Sequence, residues 1–247
     1  MEQDTKQKRC FGRTPEQIKA VKPLKDGVIA DFTATRLMLK NIVTKVSQRY
    51  NAGKPRVVVG IPSGITEVEE RAVEEAILRA GAKEVYLIEE PMAAAIGAEL
   101  DVAEPTGHII VDIGGGTTEV AVISLGGAVV SHSTRVAGDE LDEDIIDYIK
   151  KEMGLAIGDT TAEEIKKEIG CALPLVTEKS MQVRGRDLAT GLPRNVAISS
   201  SQMQEAMENS INEIVDIVKI TLEKTPPELA SDIVEKGIVL ARWRSIN

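Results

Sequence analysis

The stretch Ile109–Ile123, IIVDIGGGTTEVAVI, sets three consecutive glycines between two runs of apolar, mostly β-branched residues. Such runs predict buried strands, and the glycines predict a tight turn between them. Without Cβ atoms the turn leaves its backbone N–H groups unshielded, a form suited to wrapping phosphate oxygens. Asp112 ends the incoming strand, where a carboxylate can hold a magnesium ion or its waters, and Thr117 and Thr118 add hydroxyls. The glycines alone read equally well as an ordinary hairpin loop. The stretch is neither a Walker loop, which needs GK[ST], nor a dinucleotide fingerprint, because a strand follows where a helix would be required. Aspartate, then GGG, then TT between paired strands is the more specific pattern.

The flanking sequence alternates strand and helix. Phe32–Val46 carries apolar residues on one helical face and is ended by Asn51, Gly53 and Pro55. RVVVGIP (Arg56–Pro62) predicts a strand buried on both faces. Thr66 and Glu69 form a capping-box pair opening a helix over Glu67–Ala80, which Gly81 ends. EVYLIEE (Glu84–Glu90) is a second strand running into PMAAAIGAEL, where proline suits a first helical turn. This order predicts an α/β fold with a mainly parallel sheet. Downstream, SLGG (Ser124–Gly127) predicts a hairpin turn, Gly138–Met153 and Thr161–Gly170 predict helices, and Ser180–Ser199 predicts a hairpin turning at Thr190–Pro193. Gln202–Lys224 predicts a long amphipathic helix stopped by Pro226 and Pro227, and Ile238–Leu240 a last strand entering a loop. Residues 1–25 predict loop and short helix.

The chain is long enough to bury a sizeable core. Its 39 acidic and 30 basic residues leave a formal net charge of -9, which opposes generic binding to nucleic acid or anionic lipid. Cys10 and Cys171 stand far apart in no metal-binding spacing, and no apolar run is long enough to span a bilayer. A reduced, cytoplasmic setting is expected, with association at the membrane surface as the alternative. His108 and His132 lack ligand-like partners and are expected to be structural or exposed; Cys171 is expected to be a small core residue.

VDIGGGTTEVAVISLG (Val111–Gly126) resembles the second phosphate loop of the superfamily that joins actin, heat-shock chaperones and sugar kinases. GRTPEQIKAVKPLKDGVIADF, IEEPMAAAIGA, AGDELDE, TGLPR and LEKTPPEL, in this order, are similar to the MreB/Mbl family of bacterial actins, the rod-shape-determining proteins. The similarity runs from about Gly12 to Leu240. It implies an actin-like ATPase (ribonuclease H-like) α/β fold, with two lobes around a nucleotide cleft and ATP with magnesium as cofactors.

The resemblance also implies roles. Gly114, Gly115, Gly116 and Thr117 would contact the β- and γ-phosphates, and Asp112 would act on magnesium. Glu90 would orient the attacking water, with Thr117 beside it; taken alone, Glu90 reads more readily as a helix-start acid favoured by the dipole. Glu163 and Lys166 would hold the nucleoside, and alone would be a surface ion pair. Gly138 and Asp139 would face the nucleotide, and alone are a turn and a cap.

The family's opening IGIDLGT hairpin has no counterpart here, nor does its TGGG loop after the last strand. The expected division is therefore a partial first lobe over 1–106, a second lobe over 107–240 with a small subdomain at about 150–200, and a tail over 241–247. Arg-Trp-Arg-Ser-Ile can be encoded so that reading one base later gives Gly-Gly-Gly-Ala-Leu, so the tail is expected to be an out-of-frame reading of the missing loop. On that view the isolated chain would fold poorly and bind ATP weakly or not at all. The function implied is an ATP-hydrolysing filament protein that organises cell-wall synthesis. Its partners would be copies of itself and membrane proteins of wall synthesis, with no nucleic acid. The alternatives are a non-polymerising chaperone or sugar kinase of the same superfamily, or an inactive gene remnant. Where relatives carry an apolar membrane loop, this chain reads SQRYNAG, with Tyr50 its one large apolar side chain.

Overall fold

The computed structural model describes residues 15, 17, 21, 23–25, 28–49 and 53–242. It divides into two compact units: among the described residues, one contains Val136–Asp216, and the other contains Val21–Arg135 together with 217–242.

The larger unit begins with a short antiparallel ladder, β1 (Leu24–Lys25) with β2 (Val28–Ile29). Helix α1 (Phe32–Arg49) packs against α2 (Glu67–Ala80), where Val43, Ala76, Ile77 and Ala80 are buried. The predicted capping box forms: Thr66 Oγ1 accepts from the Glu69 N–H at 3.3 Å, and Glu69 Oε2 accepts from the Thr66 N–H at 2.8 Å. Gly81 closes the helix at φ 115, a left-handed conformation that favours glycine. Strands β3 (Arg56–Ile61) and β4 (Glu84–Glu89) pair in parallel, as a connection through a helix allows. Contrary to expectation, β3 is not buried on both faces. Val58 and its register partner Tyr86 are 67% and 51% exposed.

Helix α3 (Glu90–Gly97) follows β4 without a break, with Pro91 in its first turn. Beyond it comes a four-stranded sheet in the order β11 (Ile238–Arg242), β5 (His108–Ile113), β6 (Thr118–Ser124), β7 (Gly127–Thr134). Strands β5, β6 and β7 are antiparallel neighbours, and β11 runs parallel to β5. The sheet is thus mixed where a mainly parallel one was expected. The short GGGT and Leu125–Gly126 turns can join only antiparallel strands, whereas β11 returns through helices.

The apolar runs of β5 and β6 are explained by burial on both sides. Ile109, Val111, Val120 and Val122 pack with Ile217 and Ile233, contributed by the end of α6 (Ser200–Glu223) and by α7 (Pro227–Lys236). Ile110, Ala121 and Ile123 pack on the opposite face with Ala95 of α3. The prolines stop α6 as predicted, and Pro227 also starts α7, a position where its fixed φ is favourable. Strand β11 extends past the expected loop start, with Ala241 opposite Asp112 and Arg242 opposite Ile113. The rest of the proposed tail, 243–247, lies outside the described residues, as do Cys10, Gly12 and Tyr50.

The smaller unit packs α4 (Gly138–Met153) and α5 (Asp159–Ile169) on a three-stranded antiparallel sheet of β8 (Leu155–Ala156), β9 (Ser180–Asp187) and β10 (Pro193–Ser199), with β9 central. Ile145, Ile149, Leu155, Ile165, Val183, Ile198 and Met203 form its core. The predicted β9–β10 hairpin is present, with Pro193 opposite Arg186. Asp187 holds its turn through the N–H groups of Ala189 and Thr190 at 3.0 and 2.8 Å and an ion pair with Arg194 at 2.8 Å. Cys171 is only partly buried, and its Sγ donates to the Ser200 carbonyl at 3.4 Å.

Candidate functional site

The glycine loop leaves β5 at Asp112-Ile113 and enters β6 at Thr118. The Gly114 N–H donates to the Thr117 carbonyl at 2.8 Å and closes the turn. A Cβ on Gly114 would stand 3.0 Å from that same carbonyl oxygen, so the closure leaves little room for any other residue there. Gly115 is exposed at the tip. Thr118, by contrast, is fully buried, which leaves Thr117 as the accessible hydroxyl of the pair.

Below the pair that flanks the turn, Ile113 with Thr118, Asp112 and Glu119 face each other across the two strands. Pairing in an antiparallel ladder puts both side chains on one face. That face is also the one that Ile110 and Ala121 present to α3, whose first residue is Glu90. Asp112 and Glu119 are 3% and 1% exposed, a large desolvation for two acids. Glu119 Oε1 accepts from the Ser63 N–H at 2.6 Å, just beyond the end of β3. Its Oε2, Asp112 Oδ1 and Ser63 Oγ are buried with no protein partner.

Of the three carboxyls, Glu90 and Glu119 are raised by neighbouring charge as well as by burial. Burial raises Glu90 above the usual carboxylate range, and the Asp112 charge raises it further. Burial alone raises Asp112. Glu119 is pushed up to about 7 by burial, against the stabilising Ser63 N–H, with the charges of Glu90, Asp112 and Glu89 adding to the rise. Carboxyls held in this way favour the arrival of positive charge or of hydrogen-bond donors. Glu119 had not been singled out in the sequence. The available signal was an acid inside an otherwise apolar strand, TEVAVIS.

The orphaned Asp112 Oδ1 fits a magnesium ion, which needs oxygen ligands and commonly keeps several waters. Among the described residues no group of three or more His, Cys, Asp or Glu side chains is arranged to hold a metal. Asp112 would hold such an ion in part through bound waters.

The other predicted residues lie in the smaller unit. Gly138 opens α4, and its carbonyl accepts a hydrogen bond from Lys166 Nζ of α5. Lys166 Nζ also stands 2.8 Å from Asp142 Oδ1 in an ion pair. Burial raises the Asp142 carboxyl, and Lys166 opposes the rise. Glu163 accepts from Lys167 at 2.9 Å. The structure thus brings Gly138 and Lys166 together and adds Asp142, which the sequence had not marked. Asp139 lies in the first turn of α4, where an acid suits the helix dipole.

Both histidines have partners, as expected for structural residues. His108 Nε2 lies 3.3 Å from Thr106 Oγ1 and 3.3 Å from Lys236 Nζ. His132 lies between Thr221 Oγ1 at 3.2 Å and Lys224 Nζ at 3.0 Å.

Comparison with known proteins gives the family. The family model described as MreB/Mbl protein matches residues 4–243. The cell shape-determining protein MreB of Escherichia coli (strain K12) is 53% identical over 234 residues, 94% of this chain and 67% of that protein. The cell shape-determining protein Mbl of Bacillus subtilis (strain 168) is 46% identical over 233 residues, 94% of this chain and 70% of that protein. The crystal structure of MreB5 of Spiroplasma citri bound to ADP superimposes with a TM-score of 0.90 at 42% identity, covering 96% of this chain and 71% of that one, and the same protein is also known bound to AMPPNP. With a match over nearly its whole length and an actin-like fold, this chain belongs to the MreB/Mbl protein family.

Proposed function

We propose that this chain is an actin-type cytoskeletal protein that binds ATP, assembles with copies of itself and couples hydrolysis to filament stability in setting rod cell shape. The observation that carries the reading is the closed Gly114–Thr117 turn standing two register steps from the unpartnered oxygen of Asp112. Relatives that are cell shape-determining proteins, and one relative solved with ADP and AMPPNP, support it. The chaperone or sugar-kinase alternative is not favoured, because the family match is to MreB/Mbl over residues 4–243.

In this reading Gly114, Gly115, Gly116 and Thr117 take the β- and γ-phosphates through backbone N–H groups and one hydroxyl. Asp112 holds magnesium, which when bound neutralises charge on the phosphates. Glu90 and Thr117 orient the attacking water; Glu90, raised by burial and by Asp112, is suited to accept a hydrogen bond or a proton from it. Gly138, Glu163 and Lys166 serve the nucleoside, with Lys166 held in place by Asp142. Residues 1–106 and 107–240 are taken as the two lobes. Wall-synthesis membrane proteins are further partners by family resemblance; no helix among the described residues is long and apolar enough to cross a membrane.

The test is phosphate release and sedimentation of the purified chain. Magnesium-dependent release that Glu90→Ala lowers about 100-fold while ATP binding persists, with pelleting that requires ATP, is the expected result. A chain that neither binds ATP nor pellets refutes the proposal.

A further inference from the structure

Glu119 reaches across the fold to a segment 56 residues earlier in the chain, taking the Ser63 N–H on one carboxyl oxygen at 2.6 Å. Ser63 follows the last residues of β3, and Gly60 of that strand lies against Glu90: a Cβ on Gly60 would stand 3.2 Å from Glu90 Cγ. β3 and β4 are in register through Gly60 with Ile88 and Ile61 with Glu89, so the end of β3 flanks the corner from which Glu90 projects. A continuous set of contacts therefore runs from the strand leaving the glycine loop, through Glu119 and Ser63, to the end of β3 and then to Glu90.

We infer that Glu119 is a positioning residue for nucleotide hydrolysis: by accepting the Ser63 N–H it ties the end of β3 to the phosphate-loop strand and thereby fixes where the Glu90 carboxyl stands relative to Asp112 and the loop. The inference rests on the nucleotide-hydrolysing function proposed above. Two observations favour it over a packing role. Glu119 is 1% exposed on a strand whose other buried side chains are mostly apolar, and a hydrophobic residue there would avoid the cost of burying an acid. Its second oxygen, Oε2, is left without a protein partner on the same sheet face as the unpartnered oxygen of Asp112. Misplacing a water-orienting group by a fraction of an ångström lowers the rate of the chemical step more than it lowers binding of the nucleotide.

The experiment compares Glu119→Ala and Glu119→Gln in the full chain. The side-chain oxygen of glutamine can still accept the Ser63 N–H; alanine cannot. Glu119→Ala is expected to lower kcat about 30-fold with KM for ATP changed less than about threefold. Glu119→Gln is expected to restore kcat to within about fivefold of the unsubstituted chain. Amide hydrogen exchange at Ser63 is expected to be slow in the unsubstituted chain and in Glu119→Gln, and fast in Glu119→Ala. Circular dichroism of both variants checks that they fold; if Glu119→Ala does not, Glu119→Gln and the Ser63 amide decide the outcome. Unchanged kcat in a folded Glu119→Ala variant, a Ser63 amide that exchanges rapidly in the unsubstituted chain, or a Glu119→Gln variant with kcat lowered more than about fivefold overturns the inference alone. A chain with no turnover at all overturns the proposed function, and this inference with it.

Discussion

Lys166 Nζ lies 2.8 Å from Asp142 Oδ1 with the two side chains 10% and 12% exposed, so one buried charge is answered by another across α4 and α5. Removing a single partner leaves the other desolvated and unpaired. Asp142→Ala is expected to destabilise the chain by about 3 kcal/mol or more in urea unfolding, and the double change Asp142→Leu with Lys166→Met to recover most of that loss. The exposed Glu163–Lys167 pair is the control, since Lys167→Met is expected to cost less than about 1 kcal/mol.

Much of the fold was legible because several elements carry local signals. Thr66 and Glu69 cap α2, Gly81 takes a left-handed conformation at its end, and Pro226 and Pro227 separate α6 from α7. Sheet direction was less legible, because a run such as RVVVGI states burial but not which neighbour provides it, and β3 proved half open. The site shows the same limit. Asp112 and the glycines sit beside one another in the sequence, whereas Glu119 acquires its meaning from Ser63 and Asp142 from Lys166, contacts that only the folded chain makes.

His132 is lowered below its usual range, first by burial and then by the charge of Lys224, whose Nζ is 3.0 Å from Nε2. A histidine lowered in the folded state contributes stability that is present above its unfolded value near 6.5 and lost as pH falls through the folded value. The His132 contribution alone is therefore expected to decline on acidification below about 6.5, and it opposes that of Glu119. Lys224→Met is expected to move the His132 titration, followed by NMR, to higher pH; an unmoved midpoint would show that Lys224 does not act on it.

Glu119 carries the opposite dependence. Its folded value of about 7 lies above the ordinary 4.5, so between these values the folded chain keeps a proton that the unfolded chain has released. Stability is then lost as pH rises across that window, by an amount on the order of 3 kcal/mol once above it. Urea unfolding at pH 5.5 and pH 8, with a chelator present, is expected to show this fall for the unsubstituted chain. Glu119→Gln, which has no proton to lose, is expected to show a smaller fall and to be the more stable protein at pH 8. Equal pH slopes for the two proteins would remove Glu119 as the source.

Gly60 tests the same corner of the site from the opposite side. The absence of a Cβ lets the Glu90 side chain lie against β3, and Gly60→Ala would put a methyl 3.2 Å from Glu90 Cγ, closer than two carbons ordinarily sit. The flexible Glu90 side chain can yield by a few tenths of an ångström, so the fold is expected to survive with a loss of no more than about 1–2 kcal/mol. Catalysis should be less tolerant, because the displaced group is the one proposed to orient water. Gly60→Ala is expected to lower kcat about tenfold and leave KM for ATP nearly unchanged. Loss of ATP binding in place of kcat would mean that this corner supports the nucleotide itself, and unchanged kinetics would mean that Glu90 does not need the position the structure gives it.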